Sequence, residues 1–208
     1  MQTLDFNEWE KSVLNKEDII DFFNKEALHW DEHMIRDDEV IDKILDNAGV
    51  TKGTDVLDVA CGTGVLIPDY LKRKVNSITA IDISPEMIKI ARKKFQEEDS
   101  VNFVCGDVEK ACFDKKFDCI VVYNAFPHFF GQEKLIEILS DLLKEGGVLT
   151  IAHGMSREQI NRHHEGRAKY VSLGLISEKE LAAMFERVLH VETVISDDSM
   201  YQVVGKKL

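Results

Sequence analysis

Two aspartates and two glycines hold the chemistry that this chain offers. Asp58 stands four residues before Gly62 in the run Asp55-Val56-Leu57-Asp58-Val59-Ala60-Cys61-Gly62-Thr63-Gly64. An unbroken apolar run closed by a glycine turn suits a strand buried on both faces in a parallel sheet. Gly62 and Gly64 lack a Cβ, so the turn can take angles barred to other residues and a ligand can lie against the main chain. A second acid, Asp82, closes the next apolar run, Ile78-Thr79-Ala80-Ile81. Doubly wound folds place a carboxylate there on ribose hydroxyls. Dinucleotide-binding turns carry a third glycine for close helix packing beside a pyrophosphate; here that position is Ile67. The charge of Asp58 would repel a pyrophosphate and suits a ligand bearing an ammonium and a sulfonium. Together the acids point to a nucleoside without phosphates.

Three segments then stand in order: Val56 to Gly64, Ala80-Ile81-Asp82-Ile83-Ser84-Pro85-Glu86-Met87, and Cys105-Gly106-Asp107-Val108. In type and spacing they resemble the class I S-adenosylmethionine-dependent methyltransferases, over roughly residues 50–152 and more loosely to the C-terminus. The resemblance implies an α/β, seven-stranded doubly wound, Rossmann-like sheet. It also implies a C-terminal antiparallel hairpin, N-terminal lid helices within residues 1–48, and one domain over 1–208. S-adenosylmethionine would be the cofactor and S-adenosylhomocysteine the product. The implied cofactor residues are Asp58, Ala60, Gly62, Gly64, Asp82, Ile83, Met87, Asp107, Val108 and Asn124. Of these, Ile83 and Met87 would flank adenine and Asp107 would accept from its exocyclic amine. The N-terminal helices are weakly similar to those of ubiquinone/menaquinone-biosynthesis C-methyltransferases.

The acceptor side is read from Asn124-Ala125-Phe126-Pro127-His128-Phe129-Phe130, which leaves the fourth strand at the ligand edge of the sheet. This stretch departs from the Asn-Pro-Pro-Tyr or Asp-Pro-Pro-Tyr signature of resembling amide and base N-methyltransferases. Nucleobase amines and glutamine amides become poor substrates on that ground. His128 is the candidate general base, since a neutral imidazole near pH 7 can take a proton from a hydroxyl, thiol or acidic carbon; a histidine packed at a helix start is the plain alternative. Trp30 and His29 are candidates for closing the site, and Phe126, His153 and His163 for touching substrate. His153, His163 and His164 also invite a metal, although neighbouring histidines on a helix point about 100° apart. No metal ligand is assigned.

These residues need elements to position them. Ile19, Phe23, Ala27, Trp30 and Met34 recur at helical spacing and predict one helix over 18–34. A second is predicted over 38–47, others over 64–74, 84–96, 132–144 and 177–187, and strands over 78–82, 101–105, 117–123 and 148–152. Residues 153–176 read as a polar insertion on the substrate side, and residues 188–206 as a hairpin.

A chain of 208 residues with formal charge −12, most of it in the first fifty, shows no basic footprint for nucleic acid. No apolar run has membrane-spanning length. Cys61, Cys105, Cys112 and Cys119 show no paired spacing and read as reduced core thiols of a cytoplasmic protein. Composition does not speak to oligomeric state. The sequence therefore predicts in-line methyl transfer to a small molecule. The alternatives are a non-catalytic nucleoside- or metal-binding module, and a nicotinamide-dependent oxidoreductase, which Ile67 and Asp58 disfavour.

Overall fold

The computed structural model describes residues 15–165 and 167–208. Helices α1 (Lys16–Glu26), α2 (Trp30–His33) and α3 (Asp38–Asn47) precede the sheet. The chain then alternates through β1 (Asp55–Val59), α4 (Ile67–Lys72), β2 (Ser77–Asp82), α5 (Pro85–Lys94) and β3 (Val101–Cys105). β4 (Phe117–Tyr123), α6 (Gln132–Asp141), β5 (Leu143–His153), α7 (Arg157–His164), α8 (Glu178–Phe185), β6 (His190–Ser196) and β7 (Tyr201–Lys206) complete it. No helix among the described residues is long and apolar enough to cross a membrane.

Strand order is β3-β2-β1-β4-β5-β7-β6, a seven-stranded sheet in which β7 runs antiparallel to both its neighbours. Chain direction across the sheet reverses between β1 and β4, which opens the ligand crevice beyond their C-terminal ends. Alternation along the strands splits the core in two. Leu57, Val59, Ile120 and Val122 pack with α6 and α8 on one face, while Val56, Ile78, Cys119 and Val121 pack with α3 and α4 on the other.

Local chemistry sets the helix starts. Asn15 caps α1, accepting from the Asp18 N–H at 2.8 Å, and Asp37 caps α3. Ser84 caps α5 with Pro85 in its first turn. Ser156 and Ser177 close capping boxes on α7 and α8.

Several boundaries differ from the periodicity. The predicted helix over 18–34 breaks at a 3-10 turn, Ala27–His29, where buried Ala27 anchors the chain. The break brings the Trp30 indole over the glycine turn: a Cβ at Gly62 would lie 3.7 Å from its Nε1. α4 starts at Ile67 because residues 62–66 are turns around the two positive-φ glycines. α6 stops at Asp141, since Leu143 already pairs with Phe117. All four cysteines are free; Cys61 and Cys119 are buried, whereas Cys105 and Cys112 are exposed and not core.

Gly64 performs a packing role. Its φ is +86°, and a Cβ there would come within 2.6 Å of Phe95 Cε2 and 2.9 Å of Ile67 Cδ1. Left-handed strain and overpacking together make Gly64→Ala destabilising by about 2–4 kcal/mol, to be measured by urea unfolding.

Candidate active site

One cavity of about 450 Å³ lies over the C-terminal ends of β1, β2 and β4 and under the N-terminal helices. Its floor is the glycine turn. Ala60 and Asn124, which leave β1 and β4, both hold left-handed backbone angles with φ of 57° and 54°. Such a conformation costs alanine about 1–2 kcal/mol, and strain of this kind gathers at ligand clamps. The Asn124 side chain is fixed by the Gly154 N–H, which donates to its Oδ1 at 3.0 Å.

Asp82 is almost fully buried, and each of its oxygens accepts one backbone hydrogen bond at 2.8 Å, from Gly62 N–H and from Ser84 N–H. The acid thus ties the glycine turn to the start of α5, and each oxygen keeps lone-pair capacity toward the cavity. Burial raises its pKa against those two bonds. Asp58 is buried as well, and its Oδ2 has no hydrogen-bond partner in the protein. Burial pushes this carboxyl up to about 8; the nearby Tyr70 hydroxyl pulls the other way without closing a normal hydrogen bond, and the charge of Asp82 adds to the rise. A buried acceptor left open beside a cavity is the fit expected for a cationic group of a ligand.

Asp107 lines the same space. Its Oδ1 accepts from Glu109 N–H at 3.1 Å and its Oδ2 from Lys16 at 2.7 Å, while Lys16 also reaches Glu109 at 2.8 Å. Ile83, Met87 and Val108 form the apolar wall around it. The N-terminal helices are held across the crevice by polar ties. Asn24 Oδ1 accepts from the Ser84 hydroxyl at 2.7 Å, Asp31 accepts from Thr63 and from Lys94, and Arg36 Nη2 donates to both oxygens of Asp69.

His128 faces the cavity from a 3-10 turn after β4. Its Nδ1 lies 2.7 Å from the Val171 carbonyl, an acceptor only, so Nδ1 carries the proton and Nε2 the lone pair. Burial lowers its pKa to about 4; the Val171 bond opposes this and His164 reinforces it. The ring meets Phe23 edge-on at 5.0 Å and sits 5.2 Å from the His164 ring, whose Nδ1 is 2.8 Å from the Ser172 hydroxyl.

The structure brings together Asp58, Ala60, Gly62, Asp82, Ile83, Met87, Asp107, Val108, Asn124, His128, Trp30, His29 and His163. Three expected site residues lie outside the cavity lining. Phe126 is fully buried between β4 and α6, because the Pro127 turn directs it into the core. His153 is 1% exposed at the end of β5 against Tyr201, outside the cavity lining. Gly64 sits against Phe95, after α5, and Ile67, at the start of α4, and is not part of the cavity surface. Among the described residues no three of His, Cys, Asp and Glu gather at metal-binding distances.

The cavity is also lined by Phe22, Phe23, Tyr123, Phe129, Phe130 and Met155, none of them expected at the site, and by His164, expected only beside a metal. The aromatic pairs Phe22-Phe23 and Phe129-Phe130 were the available signal, one on the lid helix and one beside the candidate base.

The strand order, the acids closing β1 and β2, and the antiparallel β7 define the class I methyltransferase fold. A crystal structure of an S-adenosylmethionine-dependent methyltransferase from Aquifex aeolicus overlays with TM-score 0.67 at 23% identity, covering 80% of this chain and 89% of that one. Residues 56–147 match the family model described as a methyltransferase domain. A malonyl-[acyl-carrier protein] O-methyltransferase of Acetivibrio thermocellus is 34% identical over 133 residues, 62% of this chain and 47% of that protein. A ubiquinone biosynthesis O-methyltransferase of Coxiella burnetii is 29% identical over 109 residues, 51% of this chain and 46% of that protein. The chain spans about half the length of these relatives.

Proposed function

We propose that the protein transfers a methyl group from S-adenosylmethionine to a small-molecule acceptor. The observation that carries this reading is the convergence of Asp58, Gly62, Asp82 and His128 on one cavity under the N-terminal helices. When bound, S-adenosylmethionine supplies a methyl group activated on a sulfonium. Asp82 would hold its ribose hydroxyls, Asp58 its ammonium, and Asp107 the adenine amine between Ile83, Met87 and Val108. Ala60 and Gly62 let the backbone approach, and Asn124 shapes the edge nearest the acceptor. The N-terminal helices act as a lid that excludes water and fixes alignment. His128 holds a lone pair at Nε2 and takes the acceptor's proton there. His29, Trp30 and His163 border the acceptor space. The relatives act on an acyl-carrier protein and in ubiquinone biosynthesis by their names; these acceptors are unlike each other and do not select one for this chain. Four free cysteines support a reducing, cytoplasmic setting.

The test is calorimetric titration with S-adenosylhomocysteine at pH 6, 7 and 8, followed by methyl transfer to an acceptor panel. Without ligand, Asp58 is protonated below about 8, and a bound ammonium favours its ionised form. Binding therefore releases a proton at pH 7, and affinity rises up to about tenfold per pH unit toward pH 8, then levels. Asp58→Asn is expected to flatten this dependence. Tight NADH binding with none of S-adenosylhomocysteine would overturn the proposal.

A further inference from the structure

Phe22, Phe23, Trp30, Phe129 and Phe130 line the cavity, each half-buried, together with buried Tyr123. Phe23 meets Phe22 at 5.2 Å and Trp30 at 5.6 Å, both edge to face. A flat π system gains offset or edge contacts against such walls beyond its area burial. Acids predominate among the ionisable lining residues: Glu26, Asp58, Asp82, Asp107 and Glu109. Lys16 is the one lysine or arginine in the lining among the described residues, and it is already paired with two of those acids at 2.7 and 2.8 Å. His128, with Nδ1–H committed to the Val171 carbonyl, lines the cavity as a neutral imidazole with its lone pair on Nε2.

We infer that the methyl acceptor is an uncharged aromatic molecule with a dissociable O–H or S–H, and that the site turns away carboxylates. This rests on the methyl-transfer reading above and narrows it. Among the described residues, no unpaired lysine or arginine lines the cavity to meet an entering carboxylate, whose lost hydration costs several kcal/mol. A phenol or aromatic thiol keeps its ring on the aromatic wall and offers its proton to His128 Nε2. Its lone pair forms the bond to the methyl carbon as the carbon–sulfur bond breaks with its pair on sulfur. One proton is left on His128 and passes to water.

The full chain saturated with S-adenosylhomocysteine, titrated at pH 7 with 2-naphthol and with 2-naphthoate, tests this. The ring is shared and the charge differs. The neutral naphthol is expected to raise the melting temperature and to bind at least tenfold more tightly than the anion. Equal or tighter binding of 2-naphthoate would overturn the inference while leaving methyl transfer in place. Failure of S-adenosylhomocysteine itself to bind would instead sink the underlying reading. Phe130→Arg adds a cation to the lining, and its melting curve reports folding. Naphthoate affinity should then rise about tenfold relative to naphthol, and an unchanged ratio counts against the charge argument.

Discussion

Asp82→Ala is expected to weaken S-adenosylhomocysteine binding by about 10²–10³-fold. Hydrogen bonds to a charged group contribute about 1.5–3 kcal/mol each, and a ribose offers two hydroxyls to this carboxylate. The same change removes the acceptor for Gly62 N–H and Ser84 N–H, so the turn loosens and part of the loss is preorganisation. Asp82→Asn separates the two contributions, because its amide oxygen can still accept one of those bonds while the negative charge is gone. Calorimetry of both variants is the measurement, with urea unfolding as the check on folding. An affinity for Asp82→Ala within threefold of the parent protein would remove Asp82 from the ribose site.

His153→Leu is expected to protect the protein against acid. His153 is buried with neither ring nitrogen bonded to protein, and burial lowers its pKa to about 3, helped by nearby His164 and His128. The unfolded chain binds that proton near pH 6.5, so as pH falls from 6.5 toward 3 the unfolded state gains protons that the folded state refuses. Stability from this one group therefore falls by about 1.4 kcal/mol per pH unit across that window. Asp58 and Asp82, whose carboxyls burial shifts upward, act in the opposite sense, so the variant must be compared with its parent at each pH. At pH 7 the leucine should be neutral or slightly stabilising, since a buried polar ring is exchanged for an apolar side chain. By pH 4.5 the advantage should reach about 3 kcal/mol in urea unfolding. A difference that stays flat from pH 7 to 4.5 would show that His153 reaches solvent or a partner when charged.

The parts of the site that were legible from the residues are those built within a few positions of one strand end. Asp58, Gly62, Asp82 and Ser84 lie where an apolar run must stop and turn, so local backbone chemistry places them whatever surrounds them. The absent third glycine at Ile67 was legible in the same way, because one turn and its helix meet within five residues. Helix caps and the final hairpin follow the same rule. Helix ends were harder: the break at Ala27–His29 is invisible to a periodicity that continues through it.

What the sequence by itself determined is thus the turn, its two acids and the order of strands that brings them to one edge. Only the tertiary structure decided which neighbours of those residues face the cavity. Phe126 and Phe129 are three positions apart in one short loop, yet the first fills the core and the second lines the site. His153 and His163 carry the same ring, one sealed behind β5 and one at the cavity. The physical reason is that side-chain direction in a loop has no fixed period. It is set by packing against elements far away in the chain, such as Val171 holding His128 from 43 residues away.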